Sequence, residues 1–151
     1  MNKNLAELLQ KKHQASQGIS SIDWDERRET FLAAVQTLYE QVERIFAEPS
    51  RQKLVELERR PKSLTESYLG TYTIDDLIVT VGSEQVRFSP RGRNVAGAEG
   101  RVDVIGERGE AILVLQPNQQ WAFLQSRQPH VSLLPFDEST LTEVLQDVMR
   151  D

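Results

Sequence analysis

At 151 residues, 38% of them hydrophobic and 27% charged, the chain has the size and balance of one folded domain. A domain of this length buries roughly 68–70% of its unfolded surface and needs no disulfide or metal to hold it together. The net charge of −5 disfavours nonspecific attachment to nucleic acid or to an anionic membrane, and the lack of cysteine removes disulfide scaffolds, thiol nucleophiles and cysteine-ligated zinc or iron–sulfur centres.

Leu5, Leu8 and Leu9 stand at helical spacing and Gly18 is a suitable stop, which predicts a short N-terminal helix with a thin apolar face. A helix of that length is marginal alone and needs something to dock on. The strongest pattern runs from Asp23 to Glu48. Asp23 and Glu26 have capping-box spacing, and Asp25 and Glu29 add negative charge near the positive end of the helix dipole. Phe31, Val35, Leu38, Val42 and Ile45 then alternate four and three residues apart, with Leu32, Tyr39 and Phe46 as a second stripe. That face is wider than a two-stranded coiled-coil seam and calls for a sheet or several helices around it. Pro49 is expected to end the helix. Arg51–Arg60 reads two ways: Leu54, Val55 and Leu57 suit a short helix, while Val55–Arg59 suits an alternating edge strand, and Pro61 would stop either one.

Beyond Pro61 the period becomes two. Tyr68–Ile74, Leu77–Val81, Gln85–Phe88, Val102–Ile105, Ala111–Leu115, Gln120–Gln125 and Val131–Leu134 read as strands. Asp75-Asp76, Gly82-Ser83, Gly106–Gly109 and Pro117-Asn118 read as the turns between them. Links this short force antiparallel neighbours, hence a meander. The last segment carries Leu141, Val144, Leu145 and Val148 on one helical face, with Asp137 as N-cap. The expected architecture is a single α+β domain over 1–151. It has a helical part (1–49) with one long amphipathic helix, an antiparallel meander of about six or seven strands (64–135) packed on it, and a closing helix (137–150).

One segment carries concentrated charge. Between Arg87 and Arg101, Arg87, Arg91, Arg93 and Arg101 face one acid, Glu99, among several glycines. Glycines let backbone amides turn toward an anion, and guanidinium forks match phosphate or carboxylate oxygens, so Arg91, Arg93 and Arg101, with Asn94, form a candidate anion- or ligand-binding loop. Equally, the segment is a long strand connection whose arginines sit in water or pair with Glu99, Asp103 or Glu107. The glycine spacing matches neither the phosphate loop nor the dinucleotide fingerprint. Asp103 shares a strand face with Arg101, as in a surface ion pair. His13 and His130 are far apart in the chain and belong to no hydrolase or zinc motif, so both read as surface residues. Trp121 and Phe123 share one face, as do Tyr68 and Tyr72; they could stack bases, or cover the long helix. No catalytic residue, metal site or cofactor is expected. Nothing near Met1 resembles a signal peptide and no stretch approaches the ~18 apolar residues of a membrane span, so the expected location is the cytoplasm, away from membranes.

Glu66–Tyr72 (ESYLGTY), Val86–Gly92 (VRFSPRG) and Gly97–Val104 (GAEGRVDV) resemble small bacterial proteins carried on mobile gene cassettes. The resemblance brings no activity; it implies a bacterial accessory protein in defence, immunity or adaptation. The helix–strands–helix order, acidic charge and size are also similar to secretion chaperones, although those place a helix within the sheet. The leading expectation is a non-enzymatic protein- or peptide-interaction module, a homodimer, binding through a sheet edge or a helix face. The alternatives are a small-anion or nucleotide binder, or a hydrolase, using the Arg91–Arg101 loop, and a nucleic-acid binder using the same loop with the strand aromatics, which the acidic charge opposes.

Overall fold

The wide apolar face of the long helix is met by one continuous sheet. The computed structural model describes residues 3–18, 24–93, 99–126 and 132–150. Helices α1 (Lys3–Gly18), α2 (Trp24–Ile45) and α3 (Ala47–Arg51) come first. Strands β1 (Glu56–Glu66), β2 (Gly70–Val81), β3 (Glu84–Gly92), β4 (Gly100–Ile105), β5 (Glu110–Leu115), β6 (Trp121–Ser126) and β7 (Ser132–Pro135) follow, and α4 (Glu138–Val148) closes the chain. The seven strands lie side by side in sequence order, each antiparallel to the next. Among the described residues no helix is long and apolar enough to cross a membrane.

Phe31, Val35, Leu38, Tyr39 and Val42 of α2 share one core with Leu77, Val79, Val86, Phe88, Val102, Val104, Leu113, Leu115, Trp121 and Phe123 of the sheet. Trp121 Nε1 donates to the Ala34 carbonyl at 2.9 Å, tying β6 to the middle of α2. Gly100 leaves room for the buried ring of Phe31, which a methyl group there would strike. The expected N-cap, Asp23, lies outside the described residues. Pro49 does not end α2. The chain bends at Phe46, after Ile45, and Pro49 sits in the first turn of α3, where an N–H has no intrahelical acceptor to lose.

Two boundaries differ from the sequence reading. The sheet begins at Glu56 rather than residue 64, because the ambiguous segment enters β1, and Pro61 does not stop it. As the outermost strand β1 pairs only with β2, and an edge tolerates a residue with no N–H. Asp75-Asp76 is not a turn. Tyr68–Ile74 and Leu77–Val81 belong largely to one strand, β2, whose register with β1 runs unbroken from Glu56↔Thr80 to Glu66↔Gly70. The two aspartates mark instead where the facing changes: Tyr72 and Ile74 are core residues on one side of them, Leu77 and Val79 on the other. Strict alternation puts those pairs on opposite faces of the hairpin, so the hairpin twists enough at this point for both faces to meet the core. The β2–β3 ladder stops at Leu77↔Phe88, and Tyr39 Oη donates to the next carbonyl along β2, that of Asp75, at 2.6 Å.

Helix α4 starts on a capping box in which the Asp137 carboxylate accepts from Thr140 N and Thr140 Oγ1 accepts from Asp137 N. Leu141 and Val148 are buried, and Arg108 N donates to the Val148 carbonyl at 2.8 Å. The Glu84 carboxylate accepts from Arg150 N at 2.7 Å. The closing helix therefore runs from the end of β7 to the β2–β3 and β4–β5 turns.

Candidate functional site: the outer face of the sheet

Alternation along each strand decides what the sheet shows on the side away from α2. Val102 and Val104 point inward, so Arg101, Asp103 and Ile105 point out; Leu113 and Leu115 point inward, so Ile112 and Val114 point out. Trp121 and Phe123 enter the core, which turns Ala122 and Leu124 outward, and Leu133, paired with Leu124, shares that outer face. An antiparallel sheet with one solvated face normally alternates apolar with polar residues. Here β5 to β7 are apolar on both faces. Ile78 and Ala122, 3% and 1% exposed, are buried without belonging to the core around α2, so the outer face shelters apolar groups of its own. Ile105, Ile112, Val114, Leu124 and Leu133 are half-buried there.

The first strands carry the charge on this face. Asp103, 4% exposed, accepts from Arg101 Nε at 2.7 Å and from the terminal nitrogen at 3.3 Å. Arg91 Nε lies 3.6 Å from Oδ2, the oxygen that the Arg101 terminal nitrogen also reaches. Arg91 follows Ser89, the partner of Asp103, by two residues, so alternation sets it on the same outer face, and the register of β3 on β4 shifts between Pro90 and Gly92. Beside them, Lys62 Nζ donates to Ser89 Oγ at 2.7 Å and lies 2.7 Å from Asp76 Oδ1, near enough for the charges to pair though off the line of a hydrogen bond. The ammonium thus sits between a carboxylate and a hydroxyl. Arg87 projects from β3 opposite Ile105. With Arg60 and Glu107 it rims a shallow depression of about 280 Å³ that Ile78 and Ile105 also line. The aliphatic stems of such arginines cover apolar neighbours while their heads stay in water.

The four candidate ligand residues are therefore divided. Arg91 and Arg101 come together on Asp103. Arg93 lies apart, 2.5 Å from Glu99 Oε2, in a depression shared with Glu26, Arg27 and Thr30 at the start of α2. Asn94 lies outside the described residues, as does His130; His13 falls within α1. Of the aromatics, Trp121, Phe123 and Tyr72 are in the core. Tyr68 sits in the β1–β2 turn rather than in a strand, with φ 69° and 77% exposed, stacked on Trp24 at 5.0 Å, and Arg27 lies over the other ring of that pair. Burial, and then the charges of Asp76 and Asp75, raise the Tyr39 pKa; burial, and then the hydrogen bond to Glu66, raise that of Tyr72. Among the described residues no three His, Cys, Asp or Glu side chains are grouped to hold a metal ion.

Sequence reasoning missed Lys62, Ser89 and the outer apolar strip. The strip had a signal: Ala111–Leu115 and Trp121–Leu124 are unbroken apolar runs, and such runs mark strands covered on both faces. Lys62 and Ser89 had none, since their meeting depends on the twist of the first hairpin. No family model matches this chain, and neither a curated protein nor a solved structure matches it.

Proposed function

We propose that this chain is a non-enzymatic protein-interaction module, an accessory protein of the cytoplasm of the kind the gene-cassette resemblance implies, which works as a homodimer and holds a protein or peptide partner. The observation that carries the reading is the outer sheet face, where Ile105, Ile112, Val114, Leu124 and Leu133 occupy positions that a solvated face fills with polar residues. Self-association is supported by α1, whose Leu5, Leu8 and Leu9 are 47%, 51% and 56% exposed; packing these leucines against a second copy would order a helix that is marginal alone. The small-anion or nucleotide alternative draws on Arg91, Arg93 and Arg101, and each of these lies against a carboxylate of the same chain.

Two measurements test the reading. A photo-crosslinking residue at position 124 is expected to capture a protein in cells, while the same residue at the exposed position 143 on α4 captures none; equal capture at both sites, or none at 124, overturns it. Sedimentation velocity is expected to give a dimer that Leu8→Glu converts to a monomer without changing the melting temperature. A monomer at every concentration would remove the homodimer.

A further inference from the structure

The geometry points to one kind of occupant for the outer face: an acidic amphipathic helix of a partner protein, seated on the apolar strip with its carboxylates over β3 and β4. The inference rests on the interaction-module reading and adds the chemistry of the partner.

The strip crosses four strands, from Ile105 on β4 through Ile112 and Val114 on β5 and Leu124 on β6 to Leu133 on β7. Strands stand about 4.8 Å apart, so the strip is about 14 Å wide. A helix with its side chains is about 10–12 Å across, and one helix covers most of it. A strand would instead add to an edge, where the backbone groups are.

Charge selects among helices. Along the β3–β4 flank of the strip stand Arg87, Arg91 and Arg101, with Asp103 buried beneath them. That single carboxylate serves two of the three guanidiniums, and Arg91, 57% of whose side chain is exposed, holds it only at 3.6 Å. Arg87 makes no ion pair or hydrogen bond among the described residues and stands exposed between the apolar Ile78 and Ile105. A guanidinium beside apolar surface and short of an anion is suited to a carboxylate delivered with an apolar face. Beside Ile105 the exposed Glu110 shares the outer face, and Glu107, on the rim of the depression that Arg87 also lines, is held by Arg150 at 2.7 Å, so the partner's acids belong over the arginines of β3 and β4 and not at the β4–β5 turn.

The same charges disfavour the other occupants. Helix α1 has exposed leucines, but it carries Lys3, Lys11 and Lys12 against Glu7 alone and would bring cations to an arginine flank. A second copy packed face to face about a two-fold axis across the strands would set arginine over arginine. About an axis along the strands through β6, it would leave the flank uncovered, because only β7 lies on the far side of β6.

The test uses the full chain and two synthetic 21-residue helices with the same leucine stripe, one with glutamate and one with lysine at the polar positions, each fluorescently labelled and followed by anisotropy. The glutamate helix is expected to bind, more weakly as salt rises, and the lysine helix to bind at least tenfold less. Arg87→Glu and Leu124→Ser should each weaken the glutamate helix about tenfold or more, with Arg87→Ala intermediate. Arg44→Glu, an exposed arginine on α2, should leave it unchanged, and all variants should keep the wild-type near-ultraviolet circular dichroism. Equal or tighter binding of the lysine helix overturns the inference, as does glutamate-helix binding that ignores Arg87 and Leu124, or binding of neither helix. If the helices fail while position 124 still crosslinks to a protein in cells, the partner chemistry falls and the interaction face stands. If both fail, both fall.

Discussion

Replacing Tyr39 by phenylalanine removes one oxygen atom and leaves the ring and its packing in place. That oxygen donates to the Asp75 carbonyl at 2.6 Å and lies 3.3 Å from the Phe88 carbonyl. The β2–β3 ladder stops at Leu77↔Phe88, so Tyr39→Phe leaves the next carbonyl along β2 a shielded acceptor short of a donor where the first hairpin changes face over α2. Depriving a buried acceptor in this way costs about 1–3 kcal/mol. In a domain of this length each kcal/mol lowers the melting temperature by about 2–4 °C, so a loss of about 2 kcal/mol lowers it by about 4–8 °C. Differential scanning calorimetry and urea titration measure the effect, and the urea midpoint should fall with the slope unchanged, because no surface is newly exposed. A drop below about 1 °C with an unmoved urea midpoint would show that the hydroxyl does not fasten the hairpin to the helix and refute the reasoning.

Alkaline solution probes the same group, together with Tyr72. Both phenols have their pKa raised by burial from the ordinary value of 10.0, so their contribution to stability is complete below pH 10 and is lost as pH rises toward the folded-state values, since the unfolded chain releases those protons first. Denaturant midpoints should therefore fall above pH 10, less steeply in Tyr39→Phe, and absorbance at 295 nm should show two tyrosines that titrate only on unfolding; three ionising together near pH 10 in the folded protein would contradict this. Gly100→Ala places a methyl carbon 2.5 Å from Phe31 Cδ1, an overpacking expected to cost about 1–3 kcal/mol and to be partly relieved by Phe31→Leu; an unchanged urea midpoint would remove the contact. Asp137→Ala breaks the α4 capping box at a cost of about 1 kcal/mol, visible as faster amide exchange in the first turn of α4, whereas Asp137→Asn should retain most of the protection.

The elements best visible in the sequence are those whose period is set by burial alone. The stripes of α2 and the alternation of β3 to β6 follow from one side chain facing the core and the next facing away, a rule each residue obeys locally. Asp75-Asp76 and Pro61 misled because turn chemistry is a local preference and tertiary contacts overrode it. Asp76 is met by Lys62 and the Asp75 carbonyl by Tyr39, and neither partner is within a dozen residues. The arginines were visible as a cluster but their division was not, since alternation keeps Arg91 with Asp103 while Arg93 lies past the end of β3 and meets Glu99. The outer strip was legible in Ala111–Leu115 to anyone asking which strands need two covers.

The bond from Trp121 to the Ala34 carbonyl spans 87 residues. During synthesis at about 5–20 residues per second, α2 emerges roughly 4–17 s before the strand that locks its centre exists. Through that interval Phe31, Val35, Leu38 and Val42 have only the earlier hairpins to shelter them. The sheet can zip strand by strand, since each neighbour in space is a neighbour in sequence, but the helix it encloses must wait for nearly the whole chain. A stalled or truncated product ending before β6 would therefore leave the ribosome with its stickiest surface only partly covered, and the cell's holding chaperones are the natural custodians of that interval.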